Sequence, residues 1–334
     1  MSILRVLREK INKIKIVISD LKIKENIIII DFYTIVQLSI YTTLAIIFFN
    51  QIPKSLNLIL TNIFIIFSIL TIVVLSGKLN DNKWFMVFRR IYVIPLVLFL
   101  FDQVQNYIKV INPADYDDIL IKWDYALFGV NPTEWIYQFA NPIFTEILQI
   151  SYASYFIMPI ILGLELHFKN NDSFNKFAGY LIFSYYISYI LYFIMPAIGP
   201  RFVLHDFGSI NIELPGLFLT EYIRFIINSG ENIPIDILKG ISDLNPAFFV
   251  NRDCMPSGHT LVTTINMICA FKFKSKFRWI FLIFTILLII STVYLRYHYV
   301  VDIIAGLLLV VLIFLFEPYI RQALNKSGFK SIIK

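Results

Sequence analysis

Two short polar segments of this 334-residue sequence combine residue types that can transfer a phosphoryl group. The first is Ser257-Gly258-His259, which precedes an apolar run, and the second holds His298 and Asp302 four residues apart. On a helix that spacing places imidazole and carboxylate on one face, where the carboxylate can orient the ring. A neutral imidazole held in this way can attack phosphorus, and a second imidazole can protonate the leaving oxygen.

The same parts of the chain offer groups that bind phosphate oxygens. Ser257 and Gly258 stand where a helix should begin, and the free N–H groups of a first helical turn attract anions. Arg201, Arg252 and Arg296 supply guanidinium groups near the two segments. Zinc is the competing ligand, because two His and one Asp could bind it. An Arg-rich site on a helix N-terminus attracts an anion and repels a cation, so we predict a phosphate site without metal or cofactor.

The composition indicates that these segments lie in a membrane protein. The chain is 58% hydrophobic and 16% charged, whereas soluble domains are roughly 45–50% apolar and about 25% charged. The net charge of +6 comes from Lys and Arg clusters between apolar runs, which is typical of membrane topology and predicts no nucleic-acid partner. Cys254 and Cys269 have no spacing that suits a zinc knuckle or a redox pair.

Eight apolar segments are long enough to be predicted as spans. Each must satisfy its own backbone hydrogen bonds in lipid, which predicts helices. The expected fold is an all-α polytopic membrane helical bundle. The predicted spans are 27–49, 57–76, 86–104, 144–166, 178–199, 257–273, 277–295 and 300–319.

The distribution of basic residues predicts the orientation of the spans. The two tails and alternate connections carry 21 of the 29 Lys and Arg residues. Since cytoplasmic loops are enriched in these residues, both termini are predicted to be cytoplasmic. This orientation places Arg201, His259 and His298 at the outer face. It follows from the distribution of Lys and Arg and does not depend on the two polar segments.

The two longest connections, 105–143 and 200–256, alternate helix breakers with amphipathic stretches. We expect short helices along the outer interface, which could roof a cavity or only pack against the membrane surface. The tail 1–26 mixes basic and apolar residues at helical spacing, as an interfacial helix would.

The motifs resemble those of a known superfamily. The segment Pro256-Ser257-Gly258-His259, followed by His298 and Asp302 in the spacing H-x-x-x-D, resembles the second and third signature motifs of the type 2 phosphatidic acid phosphatase (PAP2) superfamily. The run 124–132, followed by Thr145-Glu146 and Tyr152, is similar to the branch that contains inositol phosphorylceramide synthases and their bacterial relatives.

This resemblance implies a domain organisation. A six-helix catalytic core would occupy 86–319, and two accessory helices would occupy 27–85. Basic cytoplasmic tails would cover 1–26 and 320–334.

The resemblance also implies roles. His298 would be the nucleophile that forms a phosphohistidine, Asp302 would orient it, and His259 would act first as acid and then as base. Ser257 and Gly258 would bind phosphate through the helix turn.

The chain departs from the superfamily pattern in its cations. The Lys usually found seven residues before the first-motif Arg is replaced by Ile194, so only Arg201 remains. The Ser-Arg pair expected before the third-motif His is Ser291-Thr292, and the nearest guanidinium belongs to Arg296. Arg201 and Arg296 are therefore the predicted phosphate clamp, with Arg252 third.

The predicted function is that of an integral membrane lipid phosphatase or phosphotransferase. Its substrate would be a phospholipid, a sphingolipid or a polyprenyl phosphate. Water as acceptor gives a phosphatase, and the hydroxyl of another lipid gives a transferase, of inositolphosphotransferase type if the branch resemblance holds. The alternative is a non-catalytic lipid scramblase or carrier, which would not need two imidazoles and a carboxylate. No oligomeric state is predicted.

The high Ile, Lys and Asn content is typical of an AT-rich genome and favours a bacterial inner membrane, with the site facing the periplasm or exterior. A eukaryotic secretory-pathway membrane, with the site in the lumen, is the other location.

Overall fold

The computed structural model describes residues 22–79, 82–329 and 331. Within these residues every regular element is a helix and no strand occurs, so the predicted all-α fold class is confirmed. Most of the predicted interfacial helix in the tail 1–26 lies outside the described residues, and it stays a prediction.

The helices of nine or more residues are labelled in chain order. They are α1 (Ile29–Ile47), α2 (Ser55–Leu79), α3 (Lys83–Ile91), α4 (Val93–Ile111), α5 (Asp117–Phe128), α6 (Pro142–Lys169), α7 (Asn171–Leu191), α8 (Thr220–Gly230), α9 (Gly258–Lys272), α10 (Arg278–Tyr294) and α11 (Val300–Lys326). Helical turns of three or four residues are Ile23–Asn26, Pro132–Trp135, Ile136–Phe139, Pro200–Val203, Phe207–Ser209, Ile210–Glu213, Ile235–Leu238 and Pro246–Phe248.

All eight predicted spans form helices, which differ in length and hydropathy. Five are long and apolar enough to cross a membrane: α1, α2, α3 with α4 as Lys83–Ile111, α6 and α11. α10 is a shorter apolar helix. The 15 residues of α9 extend over about 22 Å, less than a hydrocarbon core of about 30 Å. α7 has 21 residues, and its Tyr and Ser side chains lower its hydropathy.

Helix breakers move two of the predicted boundaries. α7 ends at Leu191 instead of 199, because the following segment holds two prolines and Gly199, whose φ of 94° lies in the left-handed region. α4 continues past the predicted end at 104 to Ile111 and stops before Asn112-Pro113, since a residue that precedes proline avoids the α conformation. The predicted short helices of both long connections are present.

Polar side chains start the helices that carry the site. The amide oxygen of Asn141 accepts from the N–H of Phe144 at the start of α6, and that of Asn170 accepts from Ser173 at the start of α7. Ser257 Oγ accepts from the N–H of Thr260 at 3.3 Å and caps α9. Each cap satisfies one of the N–H groups that have no partner within the helix.

The fold divides into two compact units. In the described part of Met1–Asp102 and Phe316–Lys334, the buried carboxylate of Asp31 accepts hydrogen bonds from Arg89 (2.8 Å) and the hydroxyl of Tyr92 (2.6 Å). Elsewhere in this unit the hydroxyl of Tyr33 donates to Glu317. The second unit, Gln103–Leu315, holds every residue predicted for the site. The predicted boundary between accessory and catalytic helices at residue 85 stays a prediction.

A close helix contact in the second unit joins the two halves of the site. A Cβ added to Gly306 of α11 would lie 2.9 Å from the carbonyl oxygen of Ser257 and 3.4 Å from Cβ of Thr260. Only glycine lets the N-terminal parts of α9 and α11 approach this closely. The N–H of Ser257 also donates to the carbonyl of Asp302 at 3.1 Å. The two motif segments, 39 residues apart from His259 to His298, therefore meet.

Candidate active site

His298 lies in the turn between α10 and α11. The N–H groups of Tyr297 and His298 both donate to the carbonyl of Thr292 (2.8 and 3.0 Å), and Arg296 takes a left-handed φ of 65°. This turn ends α10 and places His298 directly before α11, so that Asp302 falls in the first turn of that helix. The side chains of His298 and Asp302 are buried.

The Nδ1 atom of His298 is held on one side of the ring. It lies 3.0 Å from the carbonyl oxygen of Cys254 and 3.5 Å from Oδ2 of Asp302. Both oxygens are hydrogen-bond acceptors, so this arrangement favours the tautomer with the proton on Nδ1. The lone pair of Nε2 is then free, and Nε2 lies 3.4 Å from Nδ1 of His259.

His259, the second residue of α9, sits in an aromatic stack. Its ring centroid lies 4.4 Å from the ring of Tyr152 and 4.4 Å from the ring of Tyr155, and its Nδ1 lies 3.3 Å from the hydroxyl of Tyr152. The ring of Tyr297 also stacks on that of Tyr152, with 4.2 Å between the two centroids. These contacts fix the imidazole plane beside Nε2 of His298.

The first turn of α9 offers main-chain N–H groups and two hydroxyls. Ser257 Oγ accepts from the N–H of Thr260 and can still donate its own proton, and the buried Thr260 Oγ1 has no hydrogen-bond partner among the described residues. Gly258 has no room for a side chain, since an added Cβ would lie 2.8 Å from the hydroxyl of Tyr192. The phosphate-binding roles of Ser257 and Gly258 stay predictions, for which the turn supplies its backbone N–H groups and the Ser257 hydroxyl.

Of the three predicted arginines, Arg201 is the one next to the histidines. Its side chain is 4% exposed and lies 4.6 Å from the ring of Tyr297, and the guanidinium acts electrostatically on His259. It donates to Asn228 at 2.6 Å. Among the described residues Asn228 is the only hydrogen-bond partner of this guanidinium, so its other N–H groups can meet an anion.

The other two arginines are paired with carboxylates. Arg296 forms an ion pair with Glu213, and its guanidinium lies 5.3 Å from the ring of Tyr137. Arg252 binds Asp115 through two hydrogen bonds, and the Asp115 side chain is 40% exposed. A phosphate that bound to either arginine would have to compete with the carboxylate already there.

Two carboxylates of α5 hold the site segments, and the sequence did not reveal them as site residues. Asp117 accepts from the N–H groups of Ile198 and Gly199 (3.0 and 2.9 Å) and from the hydroxyl of Tyr299 (2.9 Å). It thereby ties the segment before Arg201 to the segment after His298. In the sequence, Asp117 was visible only as part of a polar, helix-breaking stretch in the connection 105–143.

The second α5 carboxylate, Asp124, caps α11. Its two oxygens accept from the N–H groups of Val300 and Val301, each at 2.9 Å. Both N–H groups belong to the first turn of the helix that carries Asp302, so Asp124 fixes the start of that helix. Asp124 belongs to the run that carried the branch resemblance.

A further pair of carboxylates, also missed from the sequence, lies close to Arg201. The N–H of Asn251 donates to the carbonyl of Glu231 at 3.3 Å, which brings Glu231 beside the segment of Asp253. Burial raises the pKa of Asp253 well above its usual value, and the Glu231 carboxylate adds to this effect. Burial also raises the pKa of Glu231, while Arg201 opposes the increase.

The remaining two histidines lie elsewhere. Nε2 of His205 is 3.0 Å from Oγ1 of Thr133, and burial together with Arg296 lowers the pKa of His205 to about 4. The ring of His167 packs against Phe168 and Phe174 at the end of α6. Neither contacts His259 or His298 in the described structure.

Comparison with known proteins identifies the family of this chain. A sequence model described as the PAP2 superfamily matches residues 119–316, a range that contains all eight predicted site residues. A PA-phosphatase related-family protein from Dictyostelium discoideum is 25% identical over an alignment of 213 residues, and the alignment covers 58% of this chain. The matched part corresponds to 35% of that relative's length. No solved structure matches this chain.

Proposed function

The chain belongs to the PAP2 superfamily, and on this premise we propose that it is an integral membrane lipid phosphatase or phosphotransferase that works through a phosphohistidine. The observation that carries the proposal is the arrangement of His298. Its Nδ1 faces Cys254 O and Asp302, and its Nε2 faces the second imidazole. A nucleophile needs this combination of a held proton and a free lone pair.

The first step forms a bond between Nε2 of His298 and phosphorus while the bond from phosphorus to the lipid oxygen breaks. His259 gives its proton to that leaving oxygen. The gap of 3.4 Å between the two imidazoles is too small for a phosphoryl group. Substrate binding must therefore replace the contact between the rings by contacts of each ring with the phosphate.

In the second step an acceptor O–H attacks phosphorus, the P–N bond breaks, and His259 takes the acceptor proton. Charge that develops on the phosphoryl oxygens would be stabilised by Arg201 and by the first N–H groups of α9. The attacking and leaving groups thus use the same acid–base residue in opposite directions. Asp302 balances the positive charge that His298 acquires when it carries the phosphoryl group.

The acceptor decides between phosphatase and transferase. The similarity of the run 124–132 to inositol phosphorylceramide synthases favours an alcohol acceptor, and we include inositolphosphotransferase-like transfer in the proposal. In the structure this run contains the Asp124 cap of α11. Its role is therefore to position the nucleophile segment, and the acceptor has to be identified by experiment.

We also propose that the site faces the periplasm or exterior of a bacterial inner membrane. The basic connection 272–278 follows the C-terminus of α9, while His259 stands at the N-terminus of the same helix. Positive residues and site thus lie at opposite ends of one helix, as the positive-inside rule requires. Reporter fusions after Lys274 and within the 200–256 connection should report opposite sides.

The decisive experiment uses full-length protein in liposomes with a chelator present. Phosphatidic acid, a sphingolipid phosphate and a polyprenyl phosphate are each supplied with and without lipid alcohols. Released phosphate and new phospholipids are measured by mass spectrometry. Wild type should give one of these products, His298→Ala should give neither, and His167→Ala is the matched control that should behave as wild type.

The products distinguish a phosphatase from a phosphotransferase. Phosphate alone identifies a phosphatase, and a new headgroup-bearing lipid identifies a transferase together with its donor and acceptor. Normal turnover in His298→Ala, or loss of wild-type turnover on chelation, would contradict the mechanism. Movement of lipid between leaflets without any His298-dependent product would instead support the carrier.

A further inference from the structure

A thiol lies against the His298–Asp302 pair, at a position the superfamily motifs do not include. Sγ of Cys254 is 2.9 Å from Oδ2 of Asp302 and 3.5 Å from Nδ1 of His298. The third separation, from Nδ1 to Oδ2, is 3.5 Å. One sulfur, one nitrogen and one carboxylate oxygen thus form a compact triangle.

This triangle has the size of a face of a tetrahedral zinc site. With Zn–S near 2.3 Å and Zn–N or Zn–O near 2.0–2.2 Å, ligand atoms of a tetrahedral site are separated by about 3.3–3.8 Å. Two of the three separations fall in this range, and the shorter one joins the thiol to the carboxylate it contacts. All three ligand atoms lie within 4.8 Å of one another.

We propose that Cys254, His298 and Asp302 form an inhibitory site for a thiolate-binding divalent metal ion, of which Zn²⁺ is the natural probe. The ligand set differs from the two imidazoles and one carboxylate that the sequence suggested, because it uses Nδ1 of His298 and excludes His259. A thiolate, an imidazole and a carboxylate suit zinc, whereas Mg²⁺ prefers an octahedron of oxygen ligands.

The inhibition follows from the tautomer of His298. Zinc bound at Nδ1 requires the lone pair of that nitrogen, so the ring proton moves to Nε2. Nε2–H has no lone pair for attack on phosphorus, and the nucleophile is lost. The Cys254 thiol gives up its proton to solvent when the Zn–S bond forms, so a neutral site releases one proton per metal ion.

The affinity of this site for the metal ion should depend on pH, because the Cys254 thiol has to lose a proton. The thiol lies in an apolar cluster with Leu120, Ala197, Tyr299 and Val301. A thiol is ordinarily protonated at neutral pH, and it loses that proton when the Zn–S bond forms. Affinity should therefore increase about tenfold per pH unit around neutrality.

The first test measures metal binding directly and does not depend on turnover. Zn²⁺ is titrated into the full-length protein in detergent against a competing chelator dye. We expect one high-affinity Zn²⁺ per chain in wild type and in the controls Cys269→Ala and His259→Ala. Cys254→Ala and His298→Ala should weaken binding by more than about 100-fold, beyond the roughly 10–100-fold that outer partners of a metal ligand contribute.

Wild-type affinity in Cys254→Ala, or loss of the site in His259→Ala, would overturn the proposal. A second measurement needs no variant and covers the case in which Cys254→Ala does not fold. Zn²⁺ should slow alkylation of Cys254 by N-ethylmaleimide without slowing that of Cys269, as read by peptide mass spectrometry. Equal protection of both cysteines, or of neither, would also overturn it.

The inhibition itself rests on the proposed function and is tested separately. Zn²⁺ should inhibit turnover of wild type and of Cys269→Ala, with Mg²⁺ inert at the same concentration and chelator restoring the rate. In Cys254→Ala the Zn²⁺ concentration for half inhibition, relative to that variant's own rate, should increase by the same factor as the dissociation constant. If no form turns over any lipid, the proposed function fails while the titration still decides the metal site.

Discussion

Nε2 of His298 lies 3.4 Å from Nδ1 of His259. The two imidazoles come from different helices and meet because Gly306 permits close approach of α11 to the start of α9. In the proposed mechanism a phosphoryl group enters between the two rings during transfer. The mechanism gives the two rings different roles, so substitution of each histidine should block a different step.

We predict that the two histidine variants differ with an activated phosphate ester. Its leaving group departs without a proton, so His259→Ala should still form the phosphohistidine but resolve it about 10²–10⁴-fold more slowly, because the general base is missing. His298→Ala should form none. Labelling with a ³²P-ester and detection of acid-labile, alkali-stable label measures this. Label on His298→Ala, or none on His259→Ala, would contradict the assignment.

Asp302→Asn should lower kcat on the order of 10²–10⁴-fold, since the amide cannot balance the charge of the histidine and can favour the wrong tautomer. The amide oxygen can still accept from the N–H of Tyr299, which Asp302 accepts at 2.9 Å in the wild type. The melting temperature of Asp302→Asn should therefore fall by less than that of Asp302→Ala. The main effect of Asp302→Asn should be on kcat. Full activity of Asp302→Asn would show that His298 needs no charged partner.

Arg201 should matter most among the three arginines. Arg201→Lys should lower kcat/KM by about 10²–10³-fold, because a lysine offers no planar guanidinium to stack on Tyr297 and bind phosphate at the same time. Arg252→Lys and Arg296→Lys should each change kcat/KM by less than about tenfold, since both side chains pair with carboxylates. Kinetics of the three variants at equal folded fraction test this order. An effect of Arg296→Lys as large as that of Arg201→Lys would assign the clamp to Arg296.

The Asp124 cap should contribute to stability. Asp124→Ala removes the acceptor for two N–H groups of α11 and should lower the free energy of unfolding by about 0.5–2 kcal/mol. Asp124→Asn should keep only one of the two hydrogen bonds, because its amide has a single accepting oxygen and its NH2 group would face the second N–H. Its stability should therefore lie below that of wild type. Asp118→Ala, at an exposed position of the same helix, is the control and should have little effect. Denaturant unfolding in detergent measures the free energy of unfolding of each variant. Equal values for Asp124→Ala and wild type would show that Asp124 does not stabilise the start of α11.

The residues proposed to transfer phosphate could be singled out from the sequence because each motif is local. The spacing of four predicted that His298 and Asp302 are neighbours, and they are, although His298 lies in the turn before α11 and only Asp302 lies in the helix. Ser257 was predicted as a helix cap and caps α9. Apolar runs likewise predicted the eight helices, although the segment after Leu191 reads as apolar while its prolines and Gly199 end the helix.

The partners that hold these residues could not be predicted. Asp117 reaches Gly199 across 82 residues, and Asp124 reaches Val300 across 176. The carbonyl of Cys254 reaches His298 across 44. A carboxylate or carbonyl in a single sequence carries no information about which distant group it will meet. That pairing exists only after the helices have packed.

Activity should also depend on the ionisation of Asp253 and Glu231 beside Arg201. Burial raises the pKa of both carboxyls, so the protonated forms persist above the usual value of about 4. As the pH rises through the increased pKa values, negative charge develops near the phosphate site, and KM for an anionic lipid phosphate should increase. Asp253→Asn stays neutral, so its KM should be lower at alkaline pH and vary less.

Stability should follow the same sign. A carboxyl whose pKa is higher in the folded than in the unfolded chain stabilises the fold below the unfolded value, and this contribution is lost as the pH rises through the folded value. Asp253→Asn should therefore lose less stability than wild type on the alkaline side. Asp243→Asn, at an exposed position of the same connection, is the matched control. Profiles of KM and melting temperature from pH 5 to 9 test both effects, and an unchanged alkaline increase of KM in Asp253→Asn would remove this carboxyl from the site.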